Sequence, residues 1–403
     1  MNVRETAGGV TAPAGFRASG VAAGIKASGA LDIALIAADS TAAGAALFTT
    51  NRVQAAPVTV SREHLTRSGG RVRAVLVNSG CANACTGPEG LAVAQASAKA
   101  VAERLDCPID HVLVASTGVI GVALEADKVR AGIDRAASAL KSDAGYAAAQ
   151  AILTTDRGPK EYAVAVDTPN GTFHVGGMAK GAGMIEPMMA TMLAFVTTDA
   201  SVDPALLREA LVASADDTLN AITVDGECST NDMLVALASG ASQVAIHRGA
   251  GLHALIAGMR AVCHSLALEI VRGGEGATKL VAVHVSGAHD RASAKQAART
   301  IANSLLVKTA IHGGDPNWGR LVAAAGRSGV PFDLSGAVVR VGAVVLFRDG
   351  HPFDEAAPDA AQVLAGRNVE IHVDLGTRGS HEATVWTCDL SAEYVRINGE
   401  YRT

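Results

Sequence analysis

The stretch KGAGMIEPMMATMLAFVTTDA, residues 180–200, places a glycine-rich turn, a proline and an Ala-Thr junction at 190–191 ahead of an apolar run of strand length. The run after Thr191 reads as a buried strand, and the glycines before it as the turn that leads in. Thr191 stands between them in a chain with no recognisable Ser-His-Asp signature. A threonine hydroxyl is a poor nucleophile unless a base lies beside it. One recurrent solution is scission of the chain just before the residue, so that its own new α-amino group becomes that base. Small Ala190 leaves its carbonyl open to attack, and the apolar run would hold the new terminus at the start of a strand. Ala-Thr dipeptides are common, so on spacing alone an ordinary turn-to-strand junction is the better reading.

Working outward, apolar runs of strand length recur at 73–78, 111–116, 162–167, 280–285, 337–347 and 369–375. Several alternate imperfectly, which predicts sheets covered on both faces in an α+β layered α/β sandwich. Helices are expected between them. In 126–141, Asp127 reads as the N-cap, with Val129, Ile133, Ala136 and Leu140 on one face. In DPALLREALVAS, Asp203 caps, Pro204 takes the first helical position, and Leu207, Ala210 and Leu211 form the stripe. Further helices are expected at 91–105 and 291–306.

The chain has 403 residues, 49% of them hydrophobic and 43 glycine, enough for two domains or one multilayered body crossed by tight turns. A net charge of −5 offers no broad positive field for nucleic acid or an anionic membrane, so a small-molecule partner is expected. The N-terminal stretch has no apolar signal-peptide region, and no run is expected to span a bilayer; the expected location is cytoplasmic. The six cysteines match no disulfide framework. Cys81 and Cys85 lack a neighbouring His or second Cys pair, so buried thiols are expected there, with no metal and no cofactor.

Three glycine-bearing segments stand out: ASTGVIG (115–121), GGMAKGAGM (176–184) and RGGEGATK (272–279). The last two lack the Walker order, and no G-x-G-x-x-G opens a helix after a first strand, so phosphate and dinucleotide loops are excluded. Taken singly, each reads as turn geometry. The first follows a predicted strand, where consecutive backbone N–H groups can aim at one point.

Taken together with VNSGCANACTG (77–87), STGVIG (116–121), DGECSTND (225–232), EGATK (275–279), KTAIHGGDPNWGR (308–320) and YVRINGEYRT (394–403), the 180–200 stretch resembles the ornithine acetyltransferase family, the glutamate N-acetyltransferases of arginine biosynthesis. The match runs in order over nearly the whole chain. It departs at Cys81, where relatives often carry Asn, and at Glu186 and Met188, where many have His and Asn.

The resemblance implies scission between Ala190 and Thr191 into an α chain (1–190) and a β chain (191–403). The two chains stay interlocked in one sandwich and assemble as two α and two β. It implies acetyl transfer from N2-acetylornithine to glutamate through an acetyl-threonine, with acetyl-CoA as a further donor left open. Thr191 is then the nucleophile, and Thr117 with the Gly118 backbone N–H holds the oxyanion. Thr154, Lys180, Thr191, Glu275, Asn398 and Thr403 line the substrate pocket, with Thr155 a rival to Thr154. Lys180 suits a carboxylate and Glu275 an ammonium, although without the resemblance both would pass for solvated surface charges. Asp315-Pro316-Asn317-Trp318 reads as a turn with a packing Trp. A competing expectation is an N-terminal-nucleophile aminopeptidase or amidase, in which water resolves the acyl-enzyme. A non-catalytic ligand binder would leave 187–193 uncut.

Overall fold

Strand Leu193–Thr198, the apolar run of the opening stretch, lies near the middle of a nine-stranded sheet in the computed structural model, which describes residues 2–186 and 192–400. Met188, Ala190, Thr191 and Thr403 therefore lie outside the described residues. One neighbour, Gly171–Lys180, is antiparallel, with Lys180 opposite Leu193; the other, Met233–Ala238, is parallel, with Met233 opposite Leu193. From edge to edge the sheet runs Asn2–Thr6, Lys160–Thr168, Gly171–Lys180, Leu193–Thr198, Met233–Ala238, Ile33–Phe48, Arg71–Cys81 and Val112–Val119, with Phe16–Val21 paired onto Ile33–Phe48.

The 16-residue strand Ile33–Phe48 is the hinge of this sheet. Its first part pairs with Arg71–Cys81 and its last part with Met233–Ala238, with a register shift between Ala37 and Ala42. The sheet thereby folds over itself, and strand alternation sorts side chains between three cores. Leu193, Phe195, Met233 and Val235 meet Ile36, Val75, Val77 and Leu113 between the two halves. Ala194, Val196 and Leu234 face outward to helices Pro204–Ala215 and Ala250–Arg272, through Leu207, Leu211, Met259 and Val262. On the opposite outer face, Leu35, Leu76 and Val114 pack on helices Gly87–Leu105 and Ala126–Ser138 through Val101, Val129 and Ile133. The order of layers is helix, sheet, sheet, helix, the expected α+β layered sandwich.

A six-stranded sheet is built around Leu280–Ala288, which pairs in parallel with Asn368–Asp374 and antiparallel with His381–Cys388. Helices Arg291–Ala302 and Trp318–Gly326 cover one of its faces. Leu280 and Cys388 belong to the same core as the 250–272 helix, which joins the two sheets into one body.

Asp203 accepts from the backbone N–H groups of Ala205 and Leu206 and caps its helix as expected. The other expected cap is corrected: the helix at 126–138 starts one residue past Glu125, and Asp127 falls in its first turn, where a negative charge favours the helix dipole instead. The helix expected at 291–306 is two, Arg291–Ala302 and Leu305–Gly313. Gly176 and Gly177 are strand residues: a Cβ at Gly176 would lie 2.0 Å from the Gly9 carbonyl oxygen, and one at Gly177 would lie 2.7 Å from Val262. Close approach of neighbouring layers, not a turn, selects glycine there. Helix Ala250–Arg272 is, contrary to expectation, long and apolar enough to cross a membrane; its apolar residues are buried against the sheet.

Candidate active site

Strand Val112–Val119 runs parallel to Arg71–Cys81, and their ends carry the STGVIG and VNSGCAN motifs side by side. Asn78 ties them: its Oδ1 accepts from Ser116 Oγ at 2.5 Å, and its Nδ2 donates to the Cys81 carbonyl at 2.9 Å. Gly118 stands opposite Gly80 with φ +130°, and a Cβ on it would lie 2.4 Å from the Gly80 carbonyl carbon. Only glycine satisfies both constraints. The backbone next to Thr117 is fixed in this way, and the buried Thr117 hydroxyl faces the inter-sheet space.

Lys180 ends the strand on the other half of the sandwich, and its Nζ donates to Thr117 Oγ1 at 3.0 Å. The contact joins residues 63 apart and is buried. Burial pushes the Lys180 ammonium pKa down; Asp156 opposes that effect and Lys160 adds to it. Burial acts on Asp156 in the upward direction, but Lys180 and Lys160 outweigh it, with hydrogen bonds from Lys160 and the Gly181 N–H, and hold this carboxyl below its usual range. Asp156 also accepts from the Thr154 N–H at 3.2 Å. A buried lysine–carboxylate group therefore fixes the base of the cleft.

The facing wall is acidic. The buried Glu275 takes its position from its own N–H, which donates to the Ala182 carbonyl at 2.8 Å, and from Asn398 Nδ2, which donates to Glu275 Oε2 at 2.8 Å. A Cβ on Gly183 would lie 2.5 Å from that carboxylate, so the glycine lets the 182–185 turn close onto it. Asp225 pins the same turn by accepting from Met184 N at 2.7 Å and Ile185 N at 2.8 Å. Tyr394 donates its hydroxyl to Asp225 at 3.2 Å.

Thr117, Gly118, Thr154, Lys180, Glu275 and Asn398 line one cleft, and so does Thr155. Each comes from a different segment except the two adjacent pairs. Met184 and Ile185 line it on one side of residues 187–191, and Met192 and Leu193 on the other. Thr191 and Thr403 are outside the described residues, so of the expected site the structure brings together the other six.

Sequence reasoning missed Asn231 and Asp232. Asn231 Nδ2 donates to the Ala82 carbonyl at 2.6 Å and the Ser116 carbonyl at 2.8 Å, clamping both motif strands to the cleft wall. Asp232 lines the cleft with 2% exposure. The available signal was a polar pair directly before the apolar run MLVALA.

Two of the departures from the family pattern, Cys81 and Glu186, lie off the cleft, and the third, Met188, lies outside the described residues. Cys81 is buried and its Sγ donates to the Val122 carbonyl at 3.2 Å. Glu186 turns toward Thr223, Asn303 and Arg299. The expectation of buried thiols holds at Cys81 and is corrected at Cys85, which is exposed. Among the described residues, His284, Glu370 and His372 bring donor atoms within 4.8 Å of one another on the second sheet. The two imidazole rings stack at 4.6 Å and 18°, so their lone pairs run alongside instead of converging on one ion. The 315–318 segment does not line the cleft: Asn317 caps the following helix and Trp318 stacks on Phe347 at 5.1 Å.

A buried ammonium bonded to a threonine hydroxyl, across a narrow cleft from buried carboxylates, is the site of an enzyme acting on a small zwitterionic molecule. The chain belongs to the ArgJ family, which it matches over residues 17–403. It is 48% identical to the arginine biosynthesis bifunctional protein ArgJ of Thermosynechococcus vestitus over 99% of both chains. Its identity to the protein of that name from Gloeobacter violaceus is 50%, over 98% of both. Among solved structures, the ornithine acetyltransferase of Mycobacterium tuberculosis in complex with ornithine is 48% identical over 47% of this chain and 100% of its own, with a TM-score of 0.44.

Proposed function

We infer that this chain is an acetyltransferase of arginine biosynthesis that moves an acetyl group from N2-acetylornithine to glutamate through an acetyl-threonine at Thr191. Scission between Ala190 and Thr191 generates the nucleophile and divides the chain into 1–190 and 191–403, which assemble as two of each in the cytoplasm. Acetyl-CoA is a second donor for N-acetylglutamate, and no cofactor takes part. The observation that carries this reading is the single cleft that collects Thr117, Gly118, Thr154, Lys180, Glu275 and Asn398 and is lined by the residues flanking 187–191 on both sides.

The chemistry follows from the contacts. Thr117 Oγ1 accepts from Lys180, so its own proton is directed elsewhere and can be donated to a developing oxyanion, beside the Gly118 N–H. The Thr191 amino group takes the hydroxyl proton as the oxygen attacks the acetyl carbonyl, and returns a proton to the departing ornithine nitrogen. The α-amine of glutamate, as the neutral base, then attacks the acetyl carbonyl and gives a proton to the Thr191 amino group, which returns it to the Thr191 hydroxyl oxygen as the ester C–O bond breaks. Among the described residues Thr117 is the one hydrogen-bond acceptor of Lys180 Nζ, which leaves two donors for a substrate carboxylate.

The test is exchange between N-acetylornithine and labelled glutamate by the purified protein, with acetyl-CoA assayed in parallel. Acetyl transfer to glutamate is expected; ornithine release that glutamate does not accelerate would identify an amidase instead. Glu275→Gln is expected to lower kcat/KM for acetyl-enzyme formation from N-acetylornithine by about ten- to a hundredfold, the size of one charge-assisted hydrogen bond. Decay of the acetyl-enzyme with glutamate, which has no side-chain ammonium, is expected to change less. Rapid-quench measurement of both half-reactions checks this, and equal losses would make Glu275 a support for the turn at 182–185.

A further inference from the structure

Asp232 lies in the same cleft as Lys180 and Glu275. It is 2% exposed, lines the cleft, and its Oδ2 has no hydrogen-bond partner among the described residues. Its neighbours in the chain are fully engaged: Asn231 clamps the Ala82 and Ser116 carbonyls, and Met233 N–H donates to the Met192 carbonyl at 2.9 Å. The Asn231 side chain on one side and the Met233 backbone on the other thus hold a bare carboxyl oxygen at the cleft wall. A buried acceptor left without a donor is costly, and such an atom inside a ligand cleft marks a place where the ligand supplies the donor.

The two substrates of the proposed reaction share three polar groups near the reacting centre: a carboxylate, the α-nitrogen that gives or receives the acetyl group, and a side-chain terminus. Lys180 suits the first and, for ornithine, Glu275 the last. The α-nitrogen has no acceptor among these residues. We propose that Asp232 is that acceptor: its Oδ2 receives a hydrogen bond from the α-ammonium of the incoming glutamate and from the amide N–H of N-acetylornithine, and makes the cleft specific for α-amino acids over their deaminated analogues.

The inference rests on the acetyltransferase reading and adds a specificity residue to it. Electrostatics agree in direction. Burial pushes the Asp232 carboxyl pKa well up, with Ser229 and the Lys180 ammonium opposing, so a carboxylate here is an unfavourable charge that a bound α-ammonium offsets. The other charged groups lining this cleft are the carboxylates of Asp225, Glu227 and Glu275, none of which neutralises it. A neutral amide N–H gains less from the same oxygen than an ammonium does, so the effect is larger for glutamate than for N-acetylornithine.

The experiment compares glutamate with glutarate, which lacks only the α-amine, on wild type and Asp232→Asn. Wild type is expected to bind glutarate, read as inhibition of acetyl-enzyme decay, about ten- to a hundredfold more weakly than its KM for glutamate. In Asp232→Asn the KM for glutamate is expected to rise by that factor, the glutarate inhibition constant to stay the same, and the KM for N-acetylornithine to change by less than about threefold. Equal weakening of glutamate and glutarate overturns the inference, because it makes Asp232 a structural support. An uncut Asp232→Asn chain overturns it too, by assigning the carboxyl to scission. Should the variant not fold, the wild-type comparison stands alone: glutarate as tight as glutamate overturns the inference. Wild type without exchange activity refutes the acetyltransferase reading, whereas active exchange with an unaltered glutamate preference in Asp232→Asn refutes only the role of Asp232.

Discussion

Thr191→Ala is expected to run on a denaturing gel as one full-length chain and to transfer no acetyl group, whereas wild type runs as two fragments, the second with the N-terminal sequence Thr-Met-Leu. On the proposed mechanism both losses follow from one missing hydroxyl, which would attack the preceding peptide bond first and the substrate carbonyl afterwards. The fold is one that would tolerate such a cut. The described strand after the junction, Leu193–Thr198, is flanked by Gly171–Lys180 from the first part of the chain and by Met233–Ala238 from its own. Met233–Ala238 in turn pairs with Ile33–Phe48, again from the first part. Two strands of the second fragment are thus enclosed between strands of the first, and Ala194 and Val196 are buried under helices on one face while Leu193 and Phe195 are buried in the inter-sheet core. Scission breaks one covalent bond and none of these contacts, so the fragments are expected to co-purify and separate only under denaturation. Thr191→Ser retains a hydroxyl and is expected to process, which separates loss of the nucleophile from damage to the strand. An uncut wild type with full activity would remove the hypothesis.

The layered sandwich was legible because alternation and apolar runs survive in the central strands, and because the 180–200 stretch joins a turn, a junction and a buried strand. The residues of the cleft were legible only through resemblance. Thr117 and Lys180 are 63 residues apart, and nothing in either local sequence announces that the folded-over sheet brings Nζ to Oγ1. By local rules Lys180 and Glu275 are charged residues next to glycines, and solvated positions are the default for such residues. Their burial is a property of the closed layers. The glycines at 176–177 illustrate the opposite error: a glycine pair suggests a turn, but the structure uses it to let Val262 and the Gly9 carbonyl approach a strand. Helix Ala250–Arg272 is legible in the sequence. Leu252, Leu255, Met259, Val262, Leu266 and Ile270 fall at helical spacing, a stripe that periodicity alone identifies.

Thr117→Ala is expected to lower kcat for acetyl transfer by roughly 10²–10³-fold with a smaller change in KM, the size of removing one oxyanion donor. The proposed mechanism gives the hydroxyl two functions. As acceptor it takes one proton of the buried Lys180 ammonium at 3.0 Å, and as donor it has a proton to place on the oxyanion. Alanine deletes both, so Lys180 is left with one fewer partner in a site where burial already disfavours its charge. Thr117→Ser keeps both functions and is expected to stay within about tenfold of wild type, since it gives up only a methyl group. Thr117→Val keeps the shape without the oxygen and is expected to match alanine, which separates packing from hydrogen bonding. Processing must be scored first on a gel, because on the proposed mechanism the same donor would serve the tetrahedral intermediate of chain scission, and kinetics are then read on the cut fraction. Gly118 has no such series: its φ of +130° and the 2.4 Å approach of the Gly80 carbonyl carbon make any side chain there a backbone lesion. Unchanged turnover in fully cut Thr117→Ala would place the oxyanion donors elsewhere in the cleft. A loss in KM alone would instead make Thr117 a ground-state contact, one that binds substrate and transition state equally.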